Sequence, residues 1–347
     1  MNGPRPVVAI TGASGGVGRA TARHFAERGF DVAVLARGEA GLAGAAAEVE
    51  RAGGRALALV TDVARWEDVD SAADRIEAEL GPLEVWVNNA MVTVFARIGE
   101  VEPEEFRRAT EVTYLGQVHG TMAALRRMRR RDRGRIISVG SSLAFVGIPL
   151  QSAYCGAKFA CRGFVQSVQA ELLDEGSNVT ISMVHLPAVN TPQFDWSTVR
   201  TRREPQPVPP IYQPEVAAQA IFEVAGDGRR SKVLGAWNKL VVAGGTLLPS
   251  VLSHFTAATA IEGQQTDRPV SPDRPTNLER PADARRDFGA HGRFDDRSGG
   301  TLDPSFIRSM PSTLRGFLVA IAGAAASHVE VVRRRHADLE RPAGSKR

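Results

Sequence analysis

Tyr154 and Lys158, in the run Tyr154-Cys155-Gly156-Ala157-Lys158, stand four residues apart. On a helix that spacing stacks two side chains on one face, one turn apart. A phenol titrates near pH ~10 and exchanges protons poorly at neutrality, and an ammonium held one turn away is expected to favour the phenolate and lower that value. Such a tyrosine can pass a proton to or from an alcohol or carbonyl oxygen. Ser141 lies thirteen residues upstream, just past the strand-like run Arg135 to Val139, where its hydroxyl could hold the same oxygen. A Tyr–Lys pair is commonplace by itself, so its meaning depends on the elements that position it.

Those elements begin with a β-branched strand, Pro6 to Ile10, followed by Thr11-Gly12-Ala13-Ser14-Gly15-Gly16-Val17-Gly18 and a helical pattern from Arg19 to Arg28. Strand, glycine turn and helix together form the context of a dinucleotide-binding turn. Gly12 allows the tight turn, Gly16 lets the backbone approach a pyrophosphate, and Gly18 lets helix and strand pack closely. The helix N-terminus offers unpaired N–H groups to phosphates. The second strand, Asp31 to Leu35, ends in Ala36-Arg37. An acidic residue there would select NAD through the ribose hydroxyl, whereas a guanidinium suits a 2′-phosphate, so the expected cofactor is NADP(H). Asp62 closes the third strand, Ala56 to Val60, and could accept from an adenine amino group. The fourth strand, Glu84 to Val87, ends in Asn88-Asn89-Ala90, two amides that can brace loops and line the crevice. Helices are expected over 40–52, 69–80 and 154–175, a helix pair within Pro103 to Arg131, and a sixth strand over Asn178 to Leu186. This alternation predicts an α/β fold with a doubly wound Rossmann-type parallel sheet and helices on both faces.

The four motifs Thr11–Gly18, Asn88–Ala90, Ser141 and Tyr154–Lys158 occur in the order and spacing of the short-chain dehydrogenase/reductase family, which the chain resembles from about Pro4 to Gly235. The resemblance implies hydride transfer between NADP(H) and a carbonyl or secondary alcohol. It implies Tyr154 as general acid in reduction, Lys158 lowering its pKa and holding the nicotinamide ribose, and Ser141 orienting the substrate oxygen. Gly12, Ser14, Gly16, Val17, Gly18, Arg37, Asp62, Val63, Asn89, Val189 and Thr191 would line the cofactor. It also implies a homo-oligomer. Three positions depart from the family pattern. Met91 stands for the glycine after the paired asparagines, and Pro187-Ala188 for Pro-Gly. Thr113 stands for an asparagine that holds a water in the proton path, which puts the relay through Thr113 in question.

The remainder of the chain divides into an apolar helical segment over 236–263, a polar segment over 264–312 and a C-terminal helix with a basic tail over 313–347. Phe194, Trp196 and Tyr212 lie in a Pro- and Arg-rich stretch that covers the substrate in the family and could wall an apolar pocket. For Arg200, Arg202 and Arg203 two readings stand: contacts to an acidic group on the substrate, or a solvated loop. The apolar stretch Lys239 to Ala260 could cover the pocket, pack between subunits or touch a membrane. The polar segment is too rich in Pro, Asp and Arg to fold alone, and docking along the body is expected of its Asp287-to-Asp296 run. His291 with Asp295 and Asp296 has no fixed metal-ligand spacing, so no metal is expected. Leu314 to Val332, followed by Arg333-Arg334-Arg335, could lie peripherally on an anionic membrane or pack on protein.

Among 347 residues, 43 basic and 39 acidic side chains leave a net charge of only +4. That balance does not call for nucleic acid, and the Arg126-to-Arg135 basic run lacks interleaved aromatics and sits where cations suit a helix C-terminus. Cys155 and Cys161 point to different helix faces, which disfavours a disulfide and suits a reducing compartment. With no basic-then-apolar leader after Met1, the expected location is cytoplasmic. A non-catalytic NADP(H)-binding sensor or scaffold with the same fold is the alternative function, and loss of turnover in Tyr154→Phe separates the two.

Overall fold

The computed structural model describes residues 4–299. The predicted helix at Leu314 to Val332 and its basic tail lie outside the described residues. Seven parallel strands form the central sheet: β1 (Val7–Thr11), β2 (Asp31–Ala36), β3 (Ala56–Val60), β4 (Leu83–Asn88), β5 (Arg135–Ser141), β6 (Thr180–Leu186) and β7 (Ser231–Val233). Their order across the sheet is β7-β6-β5-β4-β1-β2-β3. The sequence order reverses beside β1, which opens a crevice at the carboxyl edge between the β1 and β4 ends.

Helices cover both faces. They are α1 (Gly16–Ala26), α2 (Glu39–Arg51), α3 (Trp66–Glu79), α4 (Pro103–Thr110), α5 (Gly116–Met128), α6 (Ser152–Asp174) and α7 (Pro214–Asp227). Every residue of β1 and β2 is buried, as continuous apolar runs covered on both faces should be. One apolar cluster, including Trp86, Ile76 and Met128, packs below the sheet, and a second, including Phe25, Val34 and Ile221, packs above it.

The predicted helix pair is one continuous helical run, because α4 passes into α5 through the π-helical turn Glu111–Leu115. The basic run at its end is mostly exposed, with several of its arginines paired to acidic neighbours. Arg127 is buried against Asp70 and Asp74, while Arg129, Arg131 and Arg133 pair with Glu175, Glu77 and Glu84. Pro249 divides the apolar segment into α8 (Ala236–Leu247) and α9 (Pro249–Gly263). Gln265–Pro269 then pairs antiparallel with Arg203–Pro205, and the chain continues to residue 299 in extended turns along the carboxyl edge of the sheet. No described helix is long and apolar enough to cross a membrane.

Candidate active site

The glycine turn is built by three local constraints. Gly12 has φ +65°, a left-handed conformation that side-chain-bearing residues avoid. A Cβ on Gly18 would fall 2.3 Å from the Gly12 carbonyl oxygen, so only glycine lets α1 start this close to β1. Asn89 locks the turn from below, its Nδ2 donating to the Thr11 and Gly12 carbonyls at 2.9 and 3.2 Å. Thr11 Oγ1 in return accepts from the Asn89 and Ala90 amides. Asn88 is a core brace: its Oδ1 accepts from Trp86 Nε1 and its Nδ2 donates to Thr121.

β5 delivers Ser141 and α6 delivers Tyr154 and Lys158, all three facing a cavity of about 500 Å3. Ser141 Oγ caps the following turn by accepting from the Leu143 amide at 3.1 Å, and the serine lies close enough to the Tyr154 phenol to ease its ionisation. Lys158 is buried, with Nζ 5.6 Å from the Tyr154 ring centroid and donating to the Val139 carbonyl at 2.8 Å.

The expected fall in the Tyr154 pKa is reversed here. Tyr154 keeps some surface open to the cavity, yet it lies well inside the protein, and that burial pushes the phenol up while the Ser141 bond pulls back only part of the way. Burial likewise holds Lys158 below the usual ammonium range. Desolvation penalises both charged forms, and the ammonium is aimed at a carbonyl instead of the phenol oxygen.

Beneath the trio, His185 sets its ring against the Ser141 carbonyl, and burial pushes it down to about 4, leaving it neutral. Cys155, whose thiol burial raises to about 11, and Cys161 are both free and buried.

Thr113 does not join the trio. It is fully buried in the π-helical turn, where Oγ1 accepts from the Val92 amide at 3.1 Å and donates to the Val92 carbonyl at 3.0 Å. A hydroxyl reaches only its immediate neighbours, and both of its bonds are spent on backbone. One turn further on, Gln117 Nε2 donates to the same Val139 carbonyl as Lys158, and the buried Gln117 Oε1 has no protein partner. Glutamine at this position carried no signal in the sequence, because its relevance comes only from the proximity of α5 and β5.

Ser14, Gly16, Val17, Asn89, Val189 and Thr191 line the same cavity. This half of the crevice therefore fits the diphosphate and nicotinamide of a dinucleotide: a glycine turn opening a helix, with the trio beyond it. In the adenosine half the chain itself engages the expected groups. The Arg37 guanidinium donates to the carbonyls of Asn277, Leu278 and Glu279. Burial, then the nearby Arg108, hold it below its ordinary value. Burial alone would raise the Asp62 carboxyl, but the Arg108 bond at 2.5 Å, the Ala64 amide and the charges of Arg108 and Arg37 together keep it below the usual range. Val63 is buried in the apolar core, in the same cluster as Leu278.

Among the expected pocket aromatics, Phe194 lines the cavity and packs with Phe95 and Phe294. Trp196 also lines it, but lies against Gly15 of the glycine turn with its ring edge-on to Phe288 at 5.0 Å. Tyr212 is buried with its hydroxyl against Gly235 and is not among the lining residues. The outer wall comes from α8 and α9 instead, through Trp237, Leu240, Val241, Leu252 and Phe255. Arg200 and Arg203 are paired with Glu105 and Glu262. His291 has both ring nitrogens engaged, by Asp295 and Glu215, and no cluster of His, Cys, Asp or Glu among the described residues could hold a metal.

A doubly wound sheet with a glycine turn at its reversal point and a Ser–Tyr–Lys group on the neighbouring elements defines a nucleotide-dependent oxidoreductase class of architecture. The family model for short chain dehydrogenases matches residues 6–200, and the chain belongs to that family of oxidoreductases. It is 32% identical to an uncharacterized oxidoreductase, YxnA, of Bacillus subtilis over 77% of this chain and 75% of that one. It is 30% identical to a 3-dehydrosphinganine reductase of Danio rerio over 66% of this chain and 70% of that one. An alcohol dehydrogenase from the archaeon Thermococcus sibiricus, solved in complex with 5-hydroxy-NADP, aligns with TM-score 0.57 at 27% identity, covering 66% of this chain and 94% of that one.

Proposed function

We propose that this protein transfers a hydride between NADP(H) and an apolar ketone or secondary alcohol. The observation that carries the reading is that Ser141, Tyr154 and the buried Lys158 line the same cavity as the glycine turn. Ser141 and Tyr154 line one cavity, and a carbonyl oxygen bound between them would accept from both hydroxyls. A tyrosine held protonated is in the right state to act as general acid: as negative charge develops on that oxygen, Tyr154 gives up its proton. Lys158, a buried cation beside the phenol, stabilises the phenolate left behind. The reduced nicotinamide supplies the hydride when bound. In the reverse direction Tyr154 takes the proton from an alcohol.

Preference for NADP(H) is supported by Ala36, which leaves β2 without a carboxylate to receive a 2′-hydroxyl, and by Arg37 beside it. The similar archaeal dehydrogenase carries an NADP derivative. The aliphatic and aromatic wall supplied by α8 and α9 favours an apolar substrate body. NADPH consumption across a panel of ketones and aldehydes, with NADH in parallel, tests this reading. No turnover with any carbonyl, or faster turnover with NADH, overturns the corresponding part.

A further inference from the structure

We propose that residues 274–292 form an intramolecular strap that fills the adenosine half of the crevice and must leave it before a dinucleotide can bind fully. This rests on the cofactor reading above, but the observations are the strap's own contacts. Arg274 fastens one end to the Phe194 and Ser197 carbonyls, and the Asn277 amide donates to the Trp196 carbonyl. The next three carbonyls converge on Arg37. Leu278, 5% exposed, is buried in the cluster that holds Val63, Val92 and Val112, with Ala90 beside it. The Leu278 carbonyl also accepts from Arg108, the residue that holds Asp62.

Further along, the carbonyls of Asp283 and Ala284 accept from the Gly41 and Ala40 amides at the start of α2. The Asp283 carboxylate is buried there, against Gly38 and Gly41, with Oδ2 lacking any partner. A carboxylate at a helix N-terminus beside an arginine occupies the kind of position an anionic phosphate favours. Asp287 then pairs with the buried Arg19 at 2.5 Å, and the Gly289 carbonyl accepts from the Gly16 amide at the start of α1 at 3.2 Å. Strap acceptors thus use Arg37, the α2 N-terminus and one amide of the glycine turn, while an apolar side chain takes the place expected for a base. The strap lies outside residues 6–200 matched by the family model.

A closed strap lowers apparent cofactor affinity by the fraction of molecules in which it is open. Weakening it should therefore tighten binding, the opposite of the usual effect of removing buried contacts. The experiment measures NADPH affinity by fluorescence on the full chain, together with hydrogen–deuterium exchange over 277–284, for wild type, Leu278→Ser and Asp287→Asn. Asp287→Asn leaves Arg19 paired with Glu48, so it serves as the milder variant. Leu278→Ser should tighten binding about five- to thirty-fold and Asp287→Asn about two- to five-fold. In wild type, NADPH should accelerate exchange over 277–284. Equal or weaker binding in both variants, with that segment unchanged or protected by NADPH, overturns the strap and leaves the cofactor reading standing. No NADPH binding by any of the three proteins overturns both.

Discussion

The two halves of the crevice stand on one sheet edge and differ in what meets their hydrogen-bonding groups. At the catalytic half, Ser141, Tyr154 and Lys158 face an open cavity, and Gln117 nearby keeps a buried acceptor without a protein partner. At the adenosine half, Arg37, Asp62 and the first amides of α2 are answered by the chain itself. The strands, turns and helices that build the halves are equally regular. A correct motif therefore positions the donors of a site, but the site's availability depends on whatever else in the chain can satisfy those donors first.

The largest effect that would break the contrast comes from the catalytic half. Tyr154→Phe should lower kcat at least about a hundredfold by removing the proton donor, with NADPH binding retained. Undiminished turnover would make the cavity a binding site and return the sensor reading to first place. Ser141→Ala should cost about ten- to a hundredfold in kcat, since it removes one of two hydroxyls on the developing oxyanion and the bond that eases Tyr154 ionisation. A loss confined to KM would reduce Ser141 to a binding contact. From the strap side, affinity gains in Leu278→Ser sharpen the comparison as described above.

Smaller effects test Thr113, outside both halves, and His291, near the end of the strap. Thr113→Val should destabilise the fold by about 1–3 kcal/mol, read from urea midpoints, because the buried Val92 amide and carbonyl lose their partner. An unchanged midpoint would mean that the hydroxyl is needed elsewhere. The smallest effect is at His291. Burial alone would lower its pKa, but bonds to Glu215 and Asp295 outweigh it and raise the value above the usual imidazole range. Both carboxylates are held below their ordinary values and stay ionised, with Arg23 sharing Glu215. The pairing therefore stabilises fully below pH ~6.5 and is lost as pH rises through the raised value. Proteolysis near 291 should speed up across that interval in wild type, and a flat profile, or the same profile in His291→Gln, would remove His291 as an anchor.

Much of this was legible in the chain. Gly12, Gly16 and Gly18 announced the turn because a left-handed φ and a close helix approach admit few other residues. Strand alternation with helices announced a parallel sheet, and four-residue spacing placed Tyr154 and Lys158 together. The direction of the Tyr154 shift was not legible, since spacing shows that an ammonium is near but says nothing about burial or where Nζ points. Thr113 could not be resolved either, because its partner Val92 lies 21 residues away in the chain and meets it only in the folded π-helical turn. The polar composition of 264–312 signalled that it cannot fold alone without revealing which surface would receive it.

Local backbone chemistry is thus written in the sequence: the strands, the glycine turn, and the order in which Ser141, Tyr154 and Lys158 reach one edge of the sheet. Tertiary structure alone decided that Arg37 meets the carbonyls of Asn277, Leu278 and Glu279, some 240 residues along the chain. The physical reason is that a guanidinium accepts any well-placed set of oxygen atoms, and only the folded path of the chain determines whose oxygens arrive.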